Sequence, residues 1–128
     1  MQWSWLWLFI GGGVGAVARY ALSVQVLARL GEGFPWGTLA VNWTGCLAIG
    51  IAAATFDVFP GHPPGIRLLL VTGILGGFTT FSAAGLETWQ LLASDQFGHA
   101  ALYIGGSLAG GVGAVGLGVL ASRSLLHG

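Results

Sequence analysis

Charged residues are scarce in this chain. Lys and Arg together number four and Asp and Glu four, so that charged residues make up 6% of the 128 residues, whereas soluble domains carry roughly 25%. A surface with so little charge would not keep a folded protein dissolved in water. The formal net charge of zero also provides no basic face for nucleic acid. We therefore expect a membrane protein in contact with lipid and without a nucleic-acid partner.

Cysteine is scarce as well. Cys46 is the single cysteine, so the chain can form neither an internal disulfide nor a cysteine-based metal cluster. The sequence also contains no Ser/His/Asp set, no metal-type spacing of His or Cys and no phosphate-binding glycine loop. These absences exclude the common catalytic constellations, and we expect no enzyme activity.

Apolar residues are abundant instead, at 55% of the chain. Polar and Pro/Gly-rich stretches, of which residues 57–65 are the clearest, divide the sequence into four apolar segments of about 20 residues or more, the length that a transmembrane helix needs. The start of the chain lacks the positive charge of a signal peptide, and the first segment is predicted to be a membrane helix. The predicted fold is all-α, a single integral membrane domain over residues 1–128 with spans at about 3–27, 36–56, 66–92 and 100–122.

The positive charges do not fix an orientation in the membrane. With four spans, both termini and the 57–65 loop share one side, with Arg67 and Arg123, while the other side has Arg29, joined by Arg19 if it reaches that face. An excess of Lys and Arg normally marks the cytoplasmic side, and here the excess is one residue or none. Either a short protein simply has few charges, or the chain inserts both ways up and pairs antiparallel with itself. We favour the second interpretation.

Glycines at four-residue spacing indicate close helix packing. The chain has 24 glycines, including the pairs Gly11/Gly15 and Gly73/Gly77, and small residues allow membrane helices to approach closely. The fourth span carries a longer stripe of small residues: Gly106, Gly110, Ala114 and Gly118. Packing within one four-helix unit would account for most of these glycines. A single unit is nevertheless small for a transport path, and we expect a dimer.

The third span contains its own helix-weakening segment, GGFTTFS at residues 76–82. Glycine has a high backbone entropy, and threonine side chains compete for backbone hydrogen bonds. The segment lies near mid-bilayer, where each unpaired backbone group costs several kcal/mol unless protein, water or an ion satisfies it. Exposed carbonyls of Gly76 and Thr79 would suit a small hard cation, especially if a two-fold axis doubled them. The other interpretation is a tolerated kink with intact hydrogen bonding.

Further polar residues lie in the second and fourth spans. Thr38 and Asn42 are four residues apart on one helical face, as are Tyr103 and Ser107. A polar residue such as Asn42 inside a span usually faces a partner helix or a pathway. These side chains carry neutral hydrogen-bond donors, so a path lined by them would favour an anion. Hydrogen bonding between helices is the alternative role.

Two motifs resemble those of the Fluc (CrcB-type) fluoride channels: GTLAVN at residues 37–42 with Gly45, and GILGGFTTFS at residues 73–82. The length, the four spans and the GGVG of residues 12–15 agree with the family, and the resemblance covers essentially the whole chain. Either motif alone would be weak, but the two together are specific. The resemblance implies a channel in a microbial cell (inner) membrane that exports fluoride passively as an antiparallel homodimer with two pores.

The resemblance also implies roles for individual residues. A structural sodium ion would be held between the subunits by the backbone carbonyls of Gly76 and Thr79. Arg19 would attract anions at a vestibule, or only anchor its helix. Phe81 would offer its ring edge, the positive part of the ring quadrupole, to fluoride. The residues expected along the fluoride path are Thr38, Asn42, Thr80, Phe81, Ser82, Tyr103 and Ser107.

The chain departs from the family pattern at several positions. Ala84 stands where a second phenylalanine is usual, Ala83 and Gly85 replace a threonine and a serine, and Gly111 and Val115 replace polar residues of the fourth span. Fluoride could pass with one ring edge per pore, the chain could be the weaker subunit of a heterodimer, or the channel could conduct another anion. The even distribution of arginine favours the homodimer, because the subunits of a heterodimer need opposite fixed orientations.

The role of Glu87 and two alternative functions, a small multidrug transporter and a structural membrane subunit, are also considered. Glu87 matches a glutamate of the family; we expect an interfacial acid near Trp89 rather than a buried end of the anion path. A proton-coupled small multidrug transporter would need a carboxylate inside a span, ideally the first, and residues 3–27 contain none. A purely structural membrane subunit would need neither the broken third span nor Asn42.

Overall fold

Long apolar helices account for most of the described chain, as the sparse charge predicts. The computed structural model describes residues 3–128. Four segments are long enough and apolar enough to cross a membrane: α1 at Ser4–Leu30, α2 at Trp36–Val58, a third span at Pro64–Ala93 and a last helix at Phe97–His127. The described part of the chain contains no β-strand. The predicted all-α membrane fold is confirmed.

Short connections join these helices. Residues 31–35 link the first two spans, and Gly31 adopts a positive φ of 82°, which glycine reaches without steric cost and which ends the helix. The first and last helices continue several residues beyond the predicted spans. Apolar composition indicates the part of a helix that crosses lipid, but polar residues such as Arg29 and Arg123 can extend the same helix past the hydrocarbon region.

The third span is interrupted, as predicted, and the interruption consists of Thr79 and Thr80. Thr79 has φ −80° and ψ 154°, and Thr80 has φ −148° and ψ 116°, so both are extended. The span reads in order α3 (Pro64–Arg67), a π-helical segment (Leu68–Leu75), α4 (Gly76–Phe78), the two threonines and α5 (Phe81–Ala93). The sequence did not predict the π-helical segment. The last helix, Phe97–His127, is α6.

Glycines bring α1 against the first half of the third span. A Cβ atom at Gly15 would overlap the carbonyl oxygen of Ile74 and lie 2.7 Å from the amide nitrogen of Phe78. A Cβ atom at Gly77 would likewise overlap the carbonyl of Gly12. The backbones are therefore in direct contact, and α1 supports the segment that precedes the break.

Glycines also bring α2 against α6. A Cβ atom at Gly50 would overlap the carbonyl of Val115, and one at Gly118 would overlap the carbonyl of Leu47. The small-residue spacing found in the sequence thus serves packing within one chain at these positions. It gives no separate support for a second copy, and the case for a dimer has to come from the break itself.

A small core lies between α2, α5 and α6. It consists of five buried residues, with Phe34 packed against them: Leu39, Ala84, Leu91, Ala100 and Tyr103. Large apolar side chains elsewhere point outward, for example Phe9 at 81% exposure and Val112 at 74%, as expected where lipid is the surrounding solvent. The polar residues described below lie beside this core.

Candidate functional site

The broken backbone is held by Asn42 of α2. Its Nδ2 donates to the carbonyl oxygen of Thr80 at 2.9 Å, and its Oδ1 accepts from the amide nitrogen of Thr80 at 2.8 Å. One side-chain amide thus pairs with both backbone groups of a residue that has left the helix. Because unpaired backbone groups are costly inside a bilayer, this pairing explains how an extended residue is tolerated at this depth.

The two threonines close the ends of the adjoining helices. Thr80 is the N-cap of α5, and its Oγ1 accepts from the amide nitrogen of Ala83 at 3.2 Å, the typical capping bond for threonine. Thr79 ends the preceding segment, because its amide nitrogen and Oγ1 both donate to the carbonyl of Leu75, at 3.0 Å and 2.9 Å. The break is therefore a built feature with its polar groups assigned to partners.

Two carbonyls lose their helical donors as a result. The N–H of Thr80, which in an α-helix would donate to the carbonyl of Gly76, donates to Asn42. The N–H of Ala83, which would donate to the carbonyl of Thr79, donates to Thr80 Oγ1. These are the two carbonyls that the sequence indicated, and uncharged oxygen ligands suit a hard cation. Gly76 is exposed on the single chain.

Glu87 is the centre of a second polar cluster. Thr38 Oγ1 donates to Glu87 Oε1 at 2.7 Å, and the hydroxyl of Tyr103 donates to Glu87 Oε2. Thr38 is 8% exposed and Tyr103 is fully buried. Glu87 is half-buried, and its carboxylate is shared by two buried hydroxyls, so it is more enclosed than the expected interfacial acid near Trp89.

Several predicted path residues surround one cavity of about 210 Å³ between α2, the break and α6. Ser107 contributes a buried Oγ that has no hydrogen-bond partner within residues 3–128. The Ser82 hydroxyl lies nearby, 3.3 Å from Thr80 Oγ1. The predicted residues that line this cavity are Asn42, Thr79, Thr80, Phe81 and Ser107, and Cys46 and Ala84 line it as well.

Arg19 lies at a different cavity, of about 280 Å³, between α1, α2 and the break. Thr38 and Thr80 also line it, together with the hydroxyl-bearing residues Tyr20 and Ser23. Thr80 therefore borders both cavities, and Thr38 lies between the Arg19 cavity and Glu87. The predicted residues fall into one connected region rather than into separate sites.

The departures from the family pattern occupy different surroundings. Ala84 is 2% exposed and lies between the core and the cavity of Asn42. Val115 belongs to the contact between α2 and α6, whereas a side chain at Gly85 would meet open space. Phe81 is 79% exposed, so that its ring points away from its own chain.

Comparison with known proteins places the chain in a family. A family model described as CrcB-like protein, Camphor Resistance (CrcB), matches residues 6–119. A protein of Acidobacterium capsulatum named fluoride-specific ion channel FluC is 43% identical over 123 residues, 96% of this chain and 98% of its own length.

Two further relatives carry the same name. The protein of Methylobacterium sp. strain 4-46 is 46% identical over 108 residues, 84% of this chain and 86% of its own. That of Nitrobacter winogradskyi is 43% identical over 120 residues, 93% of this chain and 95% of its own. The resemblance seen in two motifs is thereby confirmed over nearly the whole length: the chain belongs to the CrcB-like family.

Proposed function

We propose that this chain forms a fluoride-selective channel that lets fluoride leave the cytoplasm passively across the cell (inner) membrane. Relatives at 43–46% identity are named fluoride-specific ion channels, and four helices are suited to span a membrane. The observation that carries the mechanism is the break at Thr79 and Thr80, which Asn42 holds open. The protein acts as a channel and not as an enzyme.

Neutral donors beside the break suit a small anion. Fluoride accepts hydrogen bonds strongly, and Ser107, whose buried hydroxyl has no partner within residues 3–128, lines the same cavity as Asn42 and Thr80. Phe81 would add the positive edge of its ring. Thr38 and Tyr103 donate to Glu87, so each would have to exchange that bond to contact an anion. We assign the main contacts to the 210 Å³ cavity.

A second, inverted copy and a sodium ion would provide partners for the carbonyls of Gly76 and Thr79, which lack their helical donors. Lipid cannot hydrogen-bond the carbonyls of Gly76 and Thr79, and unsatisfied groups at mid-bilayer cost several kcal/mol each. Pairing two exposed Gly76 faces across a two-fold axis would bury these oxygens and double them around one cation. The ion's part would be structural: it would neutralise the oxygens and fix the two breaks against each other.

Ala84 leaves this proposal with one ring edge from each subunit. A phenylalanine at this position would extend into the core or into the 210 Å³ cavity, whereas alanine leaves that space open. Fluoride would then pass one aromatic edge and the hydroxyls around it, with more water in the cavity. This interpretation needs no partner encoded by another gene.

Fluoride efflux from liposomes containing only this purified chain tests the proposal. We expect fluoride efflux far above chloride efflux, and its loss in Asn42→Asp, because a carboxylate cannot donate to the Thr80 carbonyl and adds negative charge to the path. Thr44→Val is the matched control, since the Thr44 hydroxyl is bonded within its own helix to the Ala40 carbonyl.

Three outcomes would contradict parts of the proposal. Efflux that survives Asn42→Asp, or that carries chloride as readily as fluoride, would refute the mechanism. A folded chain that conducts nothing alone but conducts with a second CrcB-like subunit would establish the heterodimer. Proton-driven export of organic cations would establish the small multidrug transporter.

A further inference from the structure

The indole of Trp43 links α2 to α6 beside the proposed fluoride path. Its Nε1–H donates to the carbonyl oxygen of Gly106 at 3.0 Å. A backbone carbonyl has two lone pairs and can accept this bond in addition to its helical one. Trp43 follows Asn42 in the sequence and Gly106 precedes Ser107, and both Asn42 and Ser107 line the 210 Å³ cavity. One hydrogen bond thus joins the two helix segments that bring polar side chains to this cavity.

The same indole separates the two helices at this level. Near Gly50 and Gly118 the backbones of α2 and α6 are in direct contact, because a Cβ atom at either position would overlap a carbonyl of the other helix. At Gly110 the neighbour is different, since a Cβ atom there would overlap the ring of Trp43. The indole therefore occupies a notch that glycine leaves open on α6. The ring fixes the separation of the helices there, and the hydrogen bond fixes their relative position along the helix axes.

Resting on the proposed function, we propose that Trp43 is a positioning residue of the fluoride path, which holds the Ser107 hydroxyl at the separation from Asn42 that anion binding requires. Trp43 does not itself line the 210 Å³ cavity, so it acts through α6 and not by contact with the ion. Hydrogen bonds weaken steeply as their length and angle depart from the optimum. A small displacement of α6 would therefore weaken the binding of a compact anion.

The fluoride dependence of efflux from liposomes containing the purified full-length chain tests this role. Trp43→Phe keeps a ring above Gly110 and removes the N–H donor. We expect the fluoride concentration that gives half-maximal efflux to rise about fivefold, the change that corresponds to a loss of about 1 kcal/mol of binding. This concentration does not depend on the number of active channels, so a lower yield of folded protein cannot produce the effect. Trp36→Phe is the matched control on the same helix, because Trp36 is 40% exposed and Trp43 41%.

A double-mutant cycle distinguishes positioning from general support of the fold. Ser107→Ala should itself raise the half-maximal fluoride concentration, and adding Trp43→Phe to it should raise it no further, because residues that act through one group are not additive. Gly110→Ala gives a second route to the same effect, since its Cβ atom would displace the indole from the Gly106 carbonyl. Gly113→Ala is its control, because a Cβ atom there meets open space.

The outcomes separate this inference from the proposed function. An unchanged half-maximal concentration in Trp43→Phe overturns the positioning role while the channel function stands. Additive effects of Trp43→Phe and Ser107→Ala also overturn it, and so does an equal effect of Trp36→Phe. If the unmodified protein conducts no fluoride, the proposed function fails and the role of Trp43 fails with it.

Discussion

At the scale of single residues, one amide side chain takes the place of a piece of backbone. Asn42 offers Thr80 a donor and an acceptor in the arrangement of a peptide group. The sequence indicated Asn42, Gly76 and Thr79 because polar and glycine residues are unusual inside a span. It did not indicate that Asn42 and Thr80 bind each other, because the residues are 38 positions apart and the pairing depends on how two spans pack.

The hydrogen bonding of Glu87 is a second feature that the sequence alone does not predict. Its position near the end of an apolar stretch, beside Trp89, is typical of a residue at the membrane surface. Its two hydroxyl partners come from α2 and α6, so only the packing of three helices reveals that they share its carboxylate. A sequence signal did exist, since Thr38 and Tyr103 each lie on the polar face of a span.

The Glu87 cluster should contribute to stability. Thr38→Val and Tyr103→Phe each remove one donor from a part-buried carboxylate, and each should lower the free energy of unfolding by about 1–3 kcal/mol. Equilibrium unfolding in mixed detergent micelles measures the change. Thr88→Val, whose hydroxyl bonds only the Ala84 carbonyl of its own helix, should cost less. Equal costs for all three variants would show that Glu87 gains nothing from its two donors.

At the scale of elements, the third span is predictable in outline but not in detail. Its break follows from two glycines and two threonines in a lipid-crossing segment. The π-helical segment Leu68–Leu75 has no such marker, because a π-helix uses ordinary helix-forming residues and depends on the neighbouring packing. The glycine spacing predicted close approach and packing mainly within one four-helix unit, and the contacts at Gly15 and Gly77 do lie within one chain; the spacing did not reveal which helices pair.

The cap of α5 should be separable from the Asn42 pairing. Thr80→Val removes the hydroxyl that accepts from the Ala83 N–H and leaves the backbone groups that bind Asn42. We expect a loss of about 1 kcal/mol in the free energy of unfolding, the usual cost of a lost N-cap. Thr80→Ser restores the acceptor and should restore stability. If serine fails to do so, the methyl group rather than the cap is the important part of Thr80.

The contact between α1 and the third span gives a sharper prediction. Gly15→Ala would force a Cβ atom against the backbone of Ile74 and Phe78, and overpacking of this kind costs about 1–3 kcal/mol. The yield of monodisperse protein and its melting temperature should both fall. Gly13→Ala is the matched control on the same helix, because a Cβ atom there meets open space. Comparable losses in both variants would show that alanine is tolerated poorly throughout α1.

At the scale of the whole molecule, four arginines are divided between two membrane sides without a clear excess. Dual topology remains a prediction from this balance and can be measured directly. In a Cys46→Ser background, Gly33→Cys and Gly61→Cys place single thiols in loops on opposite sides, at positions with open space. An impermeant thiol reagent applied to intact cells should label about half of the subunits in each variant, because neither orientation is favoured. Full labelling of one variant and none of the other would establish a fixed orientation.

The pairing of Asn42 with Thr80 has a consequence for the order of assembly. While the third segment enters lipid alone, nothing beside it can satisfy the N–H and C=O of an extended residue, and a continuous helix is then the least costly state. The helix can break at Thr80 once α2 packs against it, because the Asn42 carboxamide then pairs with both backbone groups. The helix break thus depends on tertiary packing, and we expect it to form late in folding.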